Sequence, residues 1–236
     1  MINKQRYIEE YLSKVKDIHP KLEHVFNLET IENYERSTGK AVGIIPNLPF
    51  NTIIMPLVKP RGTSDDKAFV YPHLMYPDGK GGAATLITVT DGMEDSTCYI
   101  LFVHNQRLTA DNMVYLEIPR GFKDFSDQNT LETALREISE ETGIHVSSKE
   151  AIITKLGSMM PDSGLSNNTV DLYHISLTCN NIKDIELTTH DNTEGIVGYA
   201  WFSEEDVFQL LAENKIVDSF SLCALLKYML TGLSKA

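Results

Sequence analysis

The sequence predicts an α/β sandwich. Three observations carry this. Short runs rich in β-branched and aromatic residues fill the middle of the chain, one strongly periodic helix at residues 130–142 divides them, and helical patterns stand at the two ends. With 236 residues and 42% hydrophobic content, the chain can bury one good-sized core without disulfide or metal staples.

From Tyr7 to Ile18, residues Ile8, Tyr11, Leu12, Val15 and Ile18 recur at helical spacing. They predict an amphipathic N-terminal helix whose apolar stripe needs a partner, either the main domain or another subunit. Residues 40–82 are interrupted by Pro46, Pro49, Pro56, Pro60, Pro72 and Pro77, and read as extended segments and loops around a strand-like run from Thr52 to Val58. Strands are expected at Ala83–Val89, Tyr99–Val103 and Val114–Ile118, then, past the central helix, near Ala151–Leu156, Val170–Leu177 and Val197–Phe202. Ser203 with Asp206 three residues on is a capping box for a helix through about Glu213. Asp218 or Ser219 then caps a last apolar helix ending near Leu230. The expected division is an N-terminal helix and extended segment over 1–80, a candidate dimerisation element, and a main domain over 81–236.

The net charge of −12 and pI near 5.0 argue against coating nucleic acid or anionic lipid, both of which require a basic field. Cys98, Cys179 and Cys223 are far apart in apolar runs and read as small hydrophobes in a reducing compartment. The N-terminal Met1-Ile2-Asn3-Lys4-Gln5-Arg6 shows no signal peptide, and no segment approaches the ~18 apolar residues of a membrane span. A cytoplasmic protein is expected.

The chemistry-bearing stretch runs from Gly121 to Ile144. Leu131, Ala134, Leu135 and Ile138 fall at i, i+3, i+4 and i+7 and define one buried helix face. Glu137, Glu140 and Glu141 then cluster within about 100° of arc, roughly 120° from the apolar centre. Three carboxylates so placed repel one another unless they share a cation. Mg²⁺ suits them, because it prefers oxygen ligands and is held by a few carboxylates together with substrate phosphates. Gly143 ends the helix and leaves Glu141 in the last turn, where a carboxylate opposes the helix dipole. Spacing alone is equally compatible with a solvated acidic face.

Gly121, Arg136, Glu137, Ile138, Glu140, Glu141, Gly143 and Ile144 together resemble the signature box of the Nudix hydrolases. The chain departs from that box in having one residue more between Gly121 and Arg136. Counting from Gly121 puts Asp127 at the position of the box's first Glu, and counting back from Arg136 puts Gln128 there. The first Glu supports the box arginine, so Asp127 is its expected substitute. The lead-in from Leu116 to Gly121 is similar to the strand and loop that open the family's box.

The resemblance implies a Nudix-type α/β/α sandwich and hydrolysis of the pyrophosphate of a nucleoside diphosphate linked to another moiety. It implies Mg²⁺, with Mn²⁺ as an alternative, on Glu137 and Glu141, with Glu140 as a further ligand or proton acceptor and the carbonyl of Arg120 as another ligand. Arg136 is implied to orient the glutamates by ion pairing. Gly157–Gly164, which contains Pro161, Leu101–Arg107 and the run from Glu213 to Ser219 resemble segments of ADP-ribose pyrophosphatases. Arg107, Arg120 and Pro161 are therefore implied in substrate binding, and ADP-ribose is the implied substrate. The base is implied on the loop Thr188–Gly195, with Glu194 first and Asp191 second, and His190 is read as a surface residue. Phe69, Tyr71 and Tyr76 could stack on adenine, although core packing is the better reading. A homodimer is implied, and no nucleic acid or membrane partner. The rival readings are hydrolysis of another nucleotide sugar or a dinucleotide, and a non-catalytic nucleotide sensor.

Overall fold

The computed structural model describes residues 20–47, 51–76, 79–91, 97–110, 112–146, 151–179, 181–188 and 195–232. The helix expected over Tyr7–Ile18 lies outside them. The chain divides into two compact units, Met1–Gly79 with Asp162–Asn168, and Lys80–Pro161 with Thr169–Ala236.

The first unit contains β1 (Leu22–His24), α1 (Leu28–Thr38), β2 (Gly43–Asn47), β3 (Asn51–Met55), β4 (Leu57–Pro60), β5 (Phe69–Val70) and β6 (His73–Met75). Helix α1 is absent from the sequence expectation, although its ends are written plainly. The Asn27 side chain accepts from the Thr30 N–H, and Gly39 closes the helix in the left-handed conformation at φ 70°. Ile31 of α1 joins Val25, Val42, Ile54 and Leu57 in a small core. The proline-rich stretch is more ordered than expected, with two three-stranded sheets, β1-β4-β5 and β2-β3-β6. Pro56 falls between β3 and β4, where its missing N–H costs no ladder bond.

The second unit contains β7 (Lys80–Asp91), β8 (Cys98–Arg107), β9 (Met113–Glu117), β10 (Arg120–Phe122), α2 (Thr130–Thr142), β11 (Ala151–Met159), β12 (Thr169–Cys179), β13 (Ile196–Ser203), α3 (Glu204–Ala212) and α4 (Ser219–Leu230). The expected strands and helices of this region are all present. The sheet runs β11-β12-β7-β8-β13, with β12 parallel to β7 and the other pairs antiparallel. It is the mixed sheet of an α/β/α sandwich.

One face of the sheet packs Ile87, Leu101 and Ile175 against Ile138 of α2. The other packs Leu86, Ile100, Phe102 and Leu172 against Val207 of α3 and Ala224, Leu225 and Tyr228 of α4. The capping box of Ser203 and Asp206 opens α3, and Asp218 caps α4. Strands β7 and β8 pair only over Thr88–Thr90 and Cys98–Ile100. Beyond that they part, β10 pairing with β7 at Gly82–Ala84 and β9 with β8 at Val103–Arg107. The short link from Glu117 to Arg120 is thereby inserted into the sheet, close to the helix that carries the acidic cluster.

Candidate active site

Helix α2 begins where Asn129 accepts from the N–H groups of Leu131 and Glu132 and ends at Gly143, φ 74°. A Cβ at Gly143 would also stand 2.9 Å from the Thr188 methyl, so conformation and space both call for glycine. The glutamates were expected to project away from the buried face. Instead Glu137 and Glu141 are 7% and 1% exposed, and only Glu140, with 42% of its side chain exposed, faces solvent. The difference arises from β10, which lies over this strip of the helix. A Cβ on Gly121 would come within 2.0 Å of the Glu137 carboxyl carbon, so glycine is what allows the strand backbone to close on the carboxylate. The Arg120 N–H donates to Glu141 Oε2 at 3.2 Å, and the Tyr199 hydroxyl donates to the Glu141 carbonyl at 2.9 Å.

Arg136 ties the cluster together. Its Nη1 lies 2.8 Å from Glu137 Oε1 and 2.8 Å from Glu140 Oε2, and its Nη2 donates to the Phe122 carbonyl. Asp127 takes the guanidinium from the other side, at 3.3 Å from Nε and 3.0 Å from Nη2. Burial of Arg136 works against its charge, but hydrogen bonding to Asp127 and the nearby Glu137 outweigh it and hold the guanidinium above its ordinary pKa. Burial pushes the Asp127 carboxyl up, yet Arg136, the Asp124 N–H and the Thr133 hydroxyl bring it below the usual carboxylate range. Gln128 is exposed and donates its backbone N–H to Glu132, whereas the Asp127 side chain is the one bonded to Arg136.

Among the described residues no three carboxylate, histidine or cysteine side chains form a ready metal-binding group, and Arg136 contacts both Glu137 and Glu140. The donor chemistry nevertheless fits Mg²⁺. Two buried carboxylates one turn apart offer the hard oxygens that Mg²⁺ takes, and a metal there would add to the positive charge that Arg136 already sets beside Glu137.

Arg107 and Arg120, expected on substrate, both contact Glu117, which is buried. Arg107 grips it through Nε, at 3.0 Å, and Nη2, and Arg120 Nη2 stands 3.2 Å away. Arg120 also lies over the Phe220 ring, 4.3 Å from its centroid, and 3.6 Å from Asp218. Pro161 follows edge strand β11, and no hydrogen bond or ion pair among the described residues joins it to the carboxylates. Phe69, Tyr71 and Tyr76 belong to the first unit. Glu194, Asp191 and His190 lie outside the described residues. The three cysteines are half-buried, and no disulfide joins them among the described residues.

Sequence reasoning missed Glu117, Thr133 and Asp171 as members of the polar framework. Asp171 carried a signal, a charged residue inside the apolar strand run Val170–Leu177, which a sheet rarely buries without partners.

The NUDIX domain family model matches residues 80–221, and the chain belongs to that family. It is thus a hydrolase of the class that cleaves a nucleoside diphosphate linked to another moiety. No match was found among curated proteins. The solved NUDIX domain of Shewanella oneidensis NrtR complexed with ADP ribose is similar over 62% of this chain and 84% of that one, at 14% identity and a TM-score of 0.44. A C. elegans Ap4A hydrolase binary complex is similar over 64% of this chain and 96% of that one, at 15% identity and a TM-score of 0.43. No helix among the described residues is long and apolar enough to cross a membrane.

Proposed function

We propose that the chain is a Mg²⁺-dependent pyrophosphohydrolase whose favoured substrate is ADP-ribose, released as AMP and ribose 5-phosphate. The observation that supports it most is the buried pair Glu137 and Glu141, closed over by the Gly121 backbone and neighboured by an arginine that Asp127 holds in place. Glu137 and Glu141 hold the metal with the Arg120 carbonyl, and Glu140 adds a further ligand or accepts a proton. What Mg²⁺, or Mn²⁺ in its place, supplies when bound is charge neutralisation on both phosphates and a more acidic water.

Arg136 keeps Glu137 and Glu140 in fixed rotamers, so that little reorganisation precedes reaction. Water's oxygen bonds to one phosphorus as the bond from that phosphorus to the bridging oxygen breaks. The bridging oxygen leaves with the other phosphate, and the water's proton passes to a carboxylate. Glu194, with Asp191 second, is the acceptor in this reading, since a general base must come within hydrogen-bond reach of the attacking water. Arg107, Arg120 and Pro161 contact the substrate, the two arginines pre-set by Glu117. The reading includes a cytoplasmic homodimer in which residues 1–80 help build the partner's site.

An AMP-release assay on ADP-ribose with Mg²⁺, run against other nucleotide sugars and dinucleotides, tests the substrate. Glu141→Gln is expected to lower turnover at least ~10²-fold. Undiminished turnover in that variant sinks the metal assignment, and binding of every compound without turnover favours a sensor.

A further inference from the structure

Four residues form one row across the sheet of the second unit, Ser158 of β11, Asp171 of β12, Ala83 of β7 and Gly121 of β10. Side chains of directly paired residues share a face. Helix α2 crosses this row and touches it at three points. The Thr130 hydroxyl donates to Asp171 Oδ2 at 2.6 Å, Ala134 packs with Ala83, and Glu137 closes on Gly121. The spacing agrees with the elementary geometry. Seven helical residues from Thr130 to Glu137 rise about 10.5 Å, and two strand intervals from β12 to β10 span about 9.6 Å.

Asp171 is itself held firmly. Ser158 Oγ donates to its Oδ1 at 2.6 Å and Lys155 Nζ to its Oδ2 at 2.7 Å, while the Tyr173 hydroxyl stands 2.8 Å from Thr130 Oγ1. With Thr130 donating to Asp171, Tyr173 is the donor to Thr130. Thr130, Asp171 and Tyr173 are all at least nine-tenths buried, so the chain of bonds is shielded from water. A shift of α2 along its axis, or a turn about it, would break the Thr130 bond and lift Glu137 from Gly121 together.

We propose that Asp171, acting through Thr130, is a positioning residue that sets the register of α2 on the sheet and thereby the placement of Glu137 and Glu141 as metal ligands. The proposal rests on the metal-site reading above. It assigns a catalytic consequence to a carboxylate that touches neither substrate nor metal.

The test compares Thr130→Val, Thr130→Ser, Glu141→Gln and Val207→Ala for Mn²⁺ affinity in the absence of substrate, thermal stability, and kcat and KM. Thr130→Val keeps the side chain's shape and removes the hydroxyl, and is expected to weaken Mn²⁺ binding and lower kcat by about 10-fold. Thr130→Ser is expected to restore both. Val207→Ala, in the core on the opposite face, lowers stability and leaves Mn²⁺ affinity in place. Equal loss of Mn²⁺ affinity in Thr130→Val and Val207→Ala, or wild-type affinity in Thr130→Val, overturns the positioning role. Wild-type affinity in Glu141→Gln overturns the metal site itself. If Thr130→Val does not fold, Ser158→Ala and Lys155→Met remove the other two donors to Asp171 and are read in the same way.

Discussion

The two faces of the large sheet are built differently. Beneath α3 and α4 lies an apolar core in which Leu86, Ile100, Phe102, Leu172, Ile216 and Leu225 are almost fully buried. Beneath α2 the buried residues include Thr130, Thr133, Glu137, Glu141 and Thr142 on the helix and Asp171 on the strand opposite. Burying polar groups costs stability unless each is hydrogen-bonded, so this face is fastened by specific bonds in addition to the apolar contacts of Ile87, Leu101, Ile138 and Ile175. The back face therefore tolerates volume changes as losses of stability, whereas the front face answers small displacements with losses of chemistry. That contrast is what mutation can break.

The largest effect is expected at Gly121. In Gly121→Ala the new methyl meets the Glu137 carboxyl at about 2 Å, so strand or carboxylate must move. Turnover should fall by on the order of 10²–10³-fold, since a displacement near 1 Å at a catalytic group already costs about 10²-fold. Near-wild-type kcat would show that the carboxylate need not sit where β10 puts it. Asp127→Ala comes next. It strips Arg136 of the bonds at 3.3 and 3.0 Å, and the arginine then follows Glu140 toward solvent. Activity should drop about 10–100-fold. Adding Gln128→Glu should not rescue it, because the side chain at 128 is exposed while the one at 127 is buried against the guanidinium. Recovery in the double variant would mean that position 128 is the support, with the extra loop residue lying before it, between Gly121 and Gln128.

The sequence made the second unit legible and the first only partly so. Strands β7, β8, β9, β11, β12 and β13 and helix α2 are long enough, or strongly enough patterned, for period and turn signals to agree, whereas the three-residue β10 is not. Helix α1 escaped because its stripe is thin, with Ile31 its only buried residue, although Asn27 and Gly39 marked both ends. The small sheets of the first unit escaped because prolines cut their strands to between two and five residues. Within the site, helical spacing grouped the three glutamates and the extra residue before Arg136 pointed to Asp127. Periodicity could not reveal that Glu137 and Glu141 are buried, since β10 reaches them from elsewhere in the chain. The partnership of Thr130 with Asp171, 41 residues apart, is likewise a product of tertiary register.

The smallest effect on chemistry is expected on the back face, at a polar island within it. His174 is buried there, its Nε2 2.8 Å from Thr88 Oγ1 and its ring 4.8 Å from that of Tyr228, whose hydroxyl donates to Glu204. Burial lowers the His174 pKa from 6.5 to about 4, so the folded protein keeps the ring neutral where the unfolded chain would protonate it. Its contribution is fully present above pH 6.5 and is lost progressively as pH falls toward 4, by up to about 3 kcal/mol. Asp127 and Asp171, whose folded pKa values lie below 3.8, lose their contributions only at still lower pH, which separates the two windows. Denaturant melts of the wild type and His174→Gln between pH 7 and pH 4 should show the steeper decline in the wild type, with kcat on ADP-ribose at pH 7 alike in both. Parallel declines would remove His174 as the cause, and a lost kcat would mean that the back face is not as insulated from the site as its packing indicates.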